Sequence, residues 1–145
     1  MASTSESQDI LSAILRSELQ VLRLVRTSAA KEDLTMQQFG TLRLLALRGT
    51  VTMNVLSEEL RVSPPVVTGI IDRLERKALV KRRENSSDRR KTEIVLTNKG
   101  EKVYEWIRTD YRLLLQRSLK SLLTKMEQQT LAGLLSKFTS KIGPG

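Results

Sequence analysis

Two residue types are missing from this 145-residue chain, which contains no cysteine and no histidine. Without cysteine there are no disulfides, no thiolate metal sites and no thiol-based redox sensing. Without either residue, Ser-His and Cys-His catalysis cannot be assembled within the chain. Carboxylate or lysine chemistry survives in principle. The sequence carries no paired-carboxylate motif, no phosphate-cradling glycine loop and no Gly-x-Ser-x-Gly signature. It therefore does not read as an enzyme, and no cofactor or metal is expected. No apolar run approaches the ~18 residues of a membrane span. The opening MASTSESQDI is polar and lacks the apolar core of a signal peptide, so a cytoplasmic protein without a membrane partner is expected.

What is present reads as one ordinary globular domain, 39% hydrophobic and 28% charged. The formal net charge of +9 is unevenly placed. Residues 61–91 hold 10 Lys/Arg against 4 Asp/Glu, whereas residues 1–60 hold 6 against 7. Lysines and arginines that neutralise phosphates release condensed counterions, so a polyanion is the natural partner of such a segment. A solvated basic surface would have the same composition.

Hydrophobic spacing divides the chain into helices and one hairpin. A first helix is expected from about Gln8 to about Thr27, with an apolar face wider than one packing stripe (Ile10, Leu11, Ile14, Leu15, Val21, Leu22, Val25). Thr35 with Gln38 forms a capping-box pattern opening a second helix, which packs Phe39, Leu42, Leu45 and Ala46 and stops at Gly49. Thr52 caps a short third helix. Ser63 caps a fourth, with Pro64 and Pro65 suited to its first turn. In that fourth helix Val67, Ile70, Ile71 and Leu74 fall at i, i+3, i+4 and i+7 and should be buried.

The period then changes. Leu79–Glu84 and Glu93–Thr97 read as two strands joined by Asn85-Ser86-Ser87-Asp88 and the basic Arg89-Arg90-Lys91. Thr97 caps a long helix to about Leu123, on the order of 40 Å at 1.5 Å per residue. A last helix should run from about Met126 to Ile142. The expected fold is mainly α with a small antiparallel β-hairpin wing, a winged helix-turn-helix flanked by long N- and C-terminal helices. Within a single domain, 1–145, residues 35–97 hold the winged helix-turn-helix and residues 8–28 and 98–143 the flanking helices.

Two short helices, a turn and a basic hairpin suit double-stranded DNA. The second helix of such a pair fits the major groove, where base edges are legible. Burying Val67, Ile70, Ile71 and Leu74 turns Pro65, Gly69, Asp72 and Arg76 outward, flanked by Val66, Thr68 and Arg73. Val66 and Thr68 can meet thymine methyls, and Arg73 and Arg76 guanine edges or, more commonly, phosphates. A glycine inside a helix costs about 1 kcal/mol relative to alanine. At Gly69, close approach to DNA or tight packing against another helix would justify it. The N-termini capped by Thr52 and Ser63 would offer N–H groups to phosphates. At the wing tip Arg89 and Arg90 can enter the minor groove, with Asp88 bracing Arg90.

The run Ser63-Pro64-Pro65-Val66-Val67-Thr68-Gly69-Ile70-Ile71-Asp72-Arg73-Leu74-Glu75-Arg76-Lys77-Ala78-Leu79-Val80, with Asp88-Arg89-Arg90 and Leu96-Thr97-Asn98-Lys99-Gly100, closely resembles the MarR family of regulators. The resemblance extends over the chain in length and element order. It implies a homodimer joined through the first, fifth and sixth helices, so that residues 35–97 form a DNA-binding lobe and residues 8–28 and 98–143 a dimerisation lobe. It also implies a recognition helix in the major groove and a minor-groove wing arginine carried onto Arg90. The wide terminal apolar faces agree, since a partner copy would cover them, and two-fold symmetry implies a palindromic operator. Arg61 and Ala78 depart from the family, standing where its members often have glycine. Members commonly respond to small aromatic compounds held between the lobes, which makes Arg16, Met36, Tyr111 and Arg112 candidate ligand-binding residues. Each also reads as structural or merely exposed. Two rival readings use the same features: an architectural protein that coats DNA with little sequence preference, and a winged-helix protein-interaction module. The uncharged face at Pro65, Val66 and Gly69 speaks against the first, and the basic middle segment against the second.

Overall fold

The chain has neither glycine nor proline before Gly40. The structure, a computed structural model, describes residues 2–85, 88 and 92–142. It accordingly extends the first helix, α1, over Ala2–Lys31, beyond both expected ends. Eight further elements follow in the order α2 (Met36–Arg48), β1 (Thr50–Thr52), α3 (Met53–Leu60), α4 (Pro64–Arg76), β2 (Val80–Glu84), β3 (Thr92–Leu96), α5 (Asn98–Leu122) and α6 (Lys125–Ile142). No helix among the described residues is long and apolar enough to cross a membrane.

The chain forms two compact units, residues 1–111 and 112–145. In the first, one core gathers Val25 and Ala29 of α1, Phe39, Leu42 and Leu45 of α2, Leu56 of α3 and all four predicted residues of α4. Tyr104 and Ile107 of α5 join it, Tyr104 stacking on Phe39 at 5.9 Å. Val67, Ile71 and Leu74 are completely buried and Ile70 nearly so. Each stabilises the fold by ~1.5–3 kcal/mol. Ala46, expected on the packing side of α2, is exposed. Gln38 and Thr41 take the buried side, with Gln38 closing its capping box on Thr35 and the Thr41 hydroxyl donating to the Gln37 carbonyl at 2.9 Å.

The wing is three-stranded rather than a bare hairpin. β3 is central, pairing antiparallel with β2 (Arg82 opposite Ile94) and with β1 (Val51 opposite Ile94). β1 escapes sequence reading because its three residues bury one side chain, Val51, and because Thr52 also serves as the N-cap of α3.

Three helix ends close through the same pair of backbone bonds. After α3, Arg61 N donates to Glu58 O and Val62 N to Ser57 O; after α4, Ala78 N donates to Glu75 O and Leu79 N to Leu74 O. After α1, Asp33 N and Leu34 N do the same to Ala30 O and Ala29 O. Each closure needs a left-handed residue, and none is glycine: φ is 52° at Asp33, 53° at Arg61 and 57° at Ala78. The departures at Arg61 and Ala78 therefore carry real strain.

The start of α5 is packed against the turn at Ala78. Thr97 Oγ1 accepts from Gly100 N at 3.0 Å and donates to Ala78 O at 2.6 Å. A Cβ on Gly100 would lie 1.9 Å from Leu79 O. The second unit holds the remainder of α5 and α6. Its α6 opens with a capping box, Thr124 and Glu127 exchanging side-chain-to-backbone bonds, which holds the Glu127 carboxyl below its ordinary pKa.

Two substitutions should move stability in opposite directions. Ala78→Gly relieves about 1–2 kcal/mol of left-handed strain against ~0.4–1 kcal/mol of added unfolded-state freedom, so its melting temperature should rise or hold. Gly100→Ala drives a methyl into a carbonyl and should cost at least about 1–3 kcal/mol. Thermal denaturation of both variants checks the pair.

Candidate nucleic-acid interface

The burial of α4 sets the site. With Val67, Ile70, Ile71 and Leu74 turned inward, Pro64, Pro65, Val66, Thr68, Asp72, Arg73 and Arg76 are exposed and Gly69 is half-exposed. An added Cβ at Gly69 would meet no atom within 4 Å. Among the described residues, packing against another helix therefore does not explain that glycine. The Thr68 hydroxyl donates back to Pro64 O at 3.1 Å, which leaves its lone pairs and methyl on the surface.

The two candidate helix N-termini differ. At α3, Thr52 Oγ1 accepts from Val55 N at 3.4 Å, as expected. At α4, Ser63 occupies the N-cap position but its side chain makes no capping bond. The expected presentation of free N–H groups there fails for a chemical reason. Pro64 and Pro65 have none, and Val66 N and Val67 N both donate to Ser63 O, at 3.0 and 3.1 Å. The first turn of α4 is an apolar tip rather than an anion cradle.

Charge around α4 is sorted by pairing. Asp72 and Glu75 both engage Arg82 of β2. Arg82 Nη2 donates to Asp72 Oδ1 at 2.6 Å, Nη1 bonds Glu75 Oε2, and the Arg82 backbone N–H donates to Glu75 Oε1 at 3.3 Å. The hydrogen bond that Arg82 donates to Asp72, with the charge of both carboxylates, pushes the Arg82 pKa above the ordinary arginine value. Arg83 pairs with Glu93 at 2.9 Å, and Arg48 of α2 pairs with Glu59 of α3. Lys77, just beyond α4, bonds both the carboxylate and the carbonyl of Asp33, at 2.6 and 2.7 Å, and holds that carboxyl below its ordinary pKa. Among the described residues, Arg61, Arg73, Arg76 and Lys81 form no ion pair. Asp33, Glu59, Asp72, Glu75 and Glu93 are held by basic neighbours, while these four cations are left to the surface. The Arg82 clasp is invisible to sequence reading because it depends on which face of β2 meets α4.

At the wing, Asn85 starts the turn, its Nδ2 donating to Glu93 Oε1 at 2.5 Å and its Oδ1 accepting from Asp88 N at 2.9 Å. Arg89 and Arg90 lie outside the described residues, and with them the Asp88–Arg90 brace.

The candidate ligand residues differ in setting. Arg16 is exposed on α1, while Met36 is half-buried against the core. Tyr111 meets Phe39 edge-on at 6.3 Å, and Arg112 opens the second unit. A cavity of about 550 Å³ lies elsewhere, lined by residues that include Leu45, Lys81, Val95, Leu96, Glu101 and Tyr104, and by none of those four.

Known proteins resemble this chain in sequence and fold. The sequence model of the MarR family matches residues 32–91. The chain is 33% identical over 107 residues to the helix-turn-helix transcriptional regulator FarR of Neisseria gonorrhoeae, covering 74% of this chain and 73% of that one. It is 34% identical to the regulator YfiV of Bacillus subtilis, covering 72% of this chain but only 65% of that one. Among solved structures, a mutant of S. aureus MepR bound to an oligodeoxyribonucleotide superimposes with a TM-score of 0.70 at 25% identity, over 91% of this chain and 97% of that one. The family and these relatives are transcriptional regulators and not enzymes. A mainly helical chain with a small antiparallel wing, a helix-turn-helix and this sequence likeness belongs to the MarR family of DNA-binding transcriptional regulators.

Proposed function

We propose that the protein is a cytoplasmic homodimer that binds a palindromic operator, setting α4 of each copy in the major groove and the wing arginine Arg90 in the adjacent minor groove. The outward face of α4 carries this reading. Its small and uncharged residues, Pro65, Val66, Thr68 and Gly69, suit contact with base edges and thymine methyls, which a pure phosphate binder does not need. Arg73 and Arg76 lie beside them for guanine edges or phosphates, and Thr52, Ser63 and Pro64 stand near the backbone. Arg89 and Arg90 extend the wing, with Asp88 as brace.

Dimerisation is supported by apolar surface that each unit leaves uncovered. On α1, Ile10 is 61% exposed and Leu19 59%. On α6, Leu134 is 62% exposed, with Leu131, Leu135 and Phe138 on the same helical face. Patches of this kind mark interfaces. Under this reading residues 35–97 read DNA while residues 8–28 and 98–143 join the copies, and two-fold symmetry places half-sites ~34 Å apart. A small aromatic effector completes the proposal. Arg16, Met36, Tyr111 and Arg112 are its first candidate contacts, and the 550 Å³ cavity beside Tyr104 is of a size that takes such a molecule.

Fluorescence anisotropy against the DNA upstream of its own coding sequence and a scrambled duplex tests the reading. The upstream duplex should bind at least ~10³-fold more tightly. Arg90→Ala should lose affinity by ~1–3 kcal/mol. Gly69→Ala should melt higher by about 1 kcal/mol of stability yet bind the upstream duplex more weakly, because the new methyl occupies the approach to the bases. Equal binding to both duplexes would leave an architectural protein, and absence of binding at low salt a protein-interaction module. Sedimentation should give twice the 16.4 kDa of one chain. Charged replacements at Leu134 and Leu135 should halve it, and a monomeric wild type would remove the symmetric operator from the proposal.

A further inference from the structure

One side chain joins the two DNA-facing elements. Arg82 faces the side of the sheet shared with Val80 and Ile94, and thus α4, while Lys81 and Arg83 fall on the opposite face of β2. Its guanidinium forks between Asp72 and Glu75, one turn apart on α4, and its backbone N–H adds a third bond to Glu75. The pairs are partly shielded, the arginine side chain being 33% exposed. Arginine suits this role because its planar fork fixes two carboxylates at once.

We propose that Arg82 is a positioning residue for operator recognition, which locks wing and recognition helix into one rigid unit and neutralises the two carboxylates that α4 would otherwise turn toward DNA. Simultaneous reading of a major and a minor groove needs a fixed angle between the two elements, because a small misplacement at one end moves the other off its groove. Non-specific attraction to phosphates does not need that angle. Asp72 shows the electrostatic half of the role. It is exposed on the same helix as Arg73 and Arg76, whose side chains form no ion pair among the described residues, and its bond to Arg82 makes a carboxylate tolerable there. This inference rests on the DNA reading proposed above.

The test uses a duplex that the full-length wild-type protein enriches from a random-sequence library, beside a scrambled duplex of the same length. Anisotropy is read for Arg82→Gln, Arg82→Lys and Asp72→Asn/Glu75→Gln, with thermal denaturation of each. Breaking the clasp from either side should lower the ratio of enriched to scrambled affinity at least ~10-fold, although Arg82→Gln removes a positive charge and Asp72→Asn/Glu75→Gln removes two negative ones. Arg82→Lys should also lose the ratio, since an ammonium keeps the charge but not the fork. If Arg82 instead contacts phosphate, three results differ and each overturns the proposal. Arg82→Gln weakens both duplexes equally, with a salt slope lower by ~0.9; Arg82→Lys matches the wild type; and Asp72→Asn/Glu75→Gln keeps the ratio. Failure of the wild type to enrich any duplex would defeat the DNA reading itself, and this inference with it.

Discussion

The rotation of α4 about its own axis is the constraint on which the rest depends. Val67, Ile70, Ile71 and Leu74 are buried against α2, α3 and the sheet, and turning the helix by one residue would expose them at a cost of several kcal/mol. That burial alone decides which side chains meet solvent. It sets Gly69 over open space, brings Asp72 and Glu75 within reach of Arg82 on β2, and leaves Arg73 and Arg76 outside. The strained turns at Arg61 and Ala78 serve the same end, stopping α3 and α4 where the core requires.

Electrostatics then divides the surface by sign. Asp33, Glu59, Asp72, Glu75 and Glu93 are each held by a lysine or arginine from another element. Exposed pairs of this kind contribute little stability individually. Their effect is on the field, because a carboxylate engaged by a neighbour repels a phosphate less than a free one. Within residues 61–91, Arg61, Arg73, Arg76 and Lys81 present basic charge, while Asp72 and Glu75 are engaged by Arg82. Steered association with a polyanion follows from that arrangement, and discrimination between sequences follows from the uncharged tip of α4.

Much of this is legible in the residues. The α4 core face shows a clear helical period, and each of its four apolar positions is buried as the spacing predicts. The capping box of Thr35 and Gln38 and the cap at Thr97 are local chemistry and equally readable. Other features depend on tertiary contact. β1 is too short to show a period and exists because β3 has a free edge to pair. The Arg82 clasp joins residues 7 and 10 positions apart through a strand whose facing is set by the sheet. Ser63 shows the opposite limit: serine is favoured at N-caps for the donors it satisfies, and here proline has removed one and the Ser63 carbonyl has taken the next. The ends of α1 escape sequence reading because polar residues at a helix terminus look like the start of a loop when no breaker is present.

In the proposed complex the outward face of α4 occupies a major groove while the wing occupies a minor one. Dimethyl sulfate protection of the bound operator tests it most directly, since guanine N7 lies in the major groove and adenine N3 in the minor groove. The account predicts two blocks of guanine N7 protection about one helical turn apart, each with adenine N3 protected in the adjacent minor groove. Protection confined to adenine N3, or a bound duplex with every guanine N7 still reactive, would contradict it.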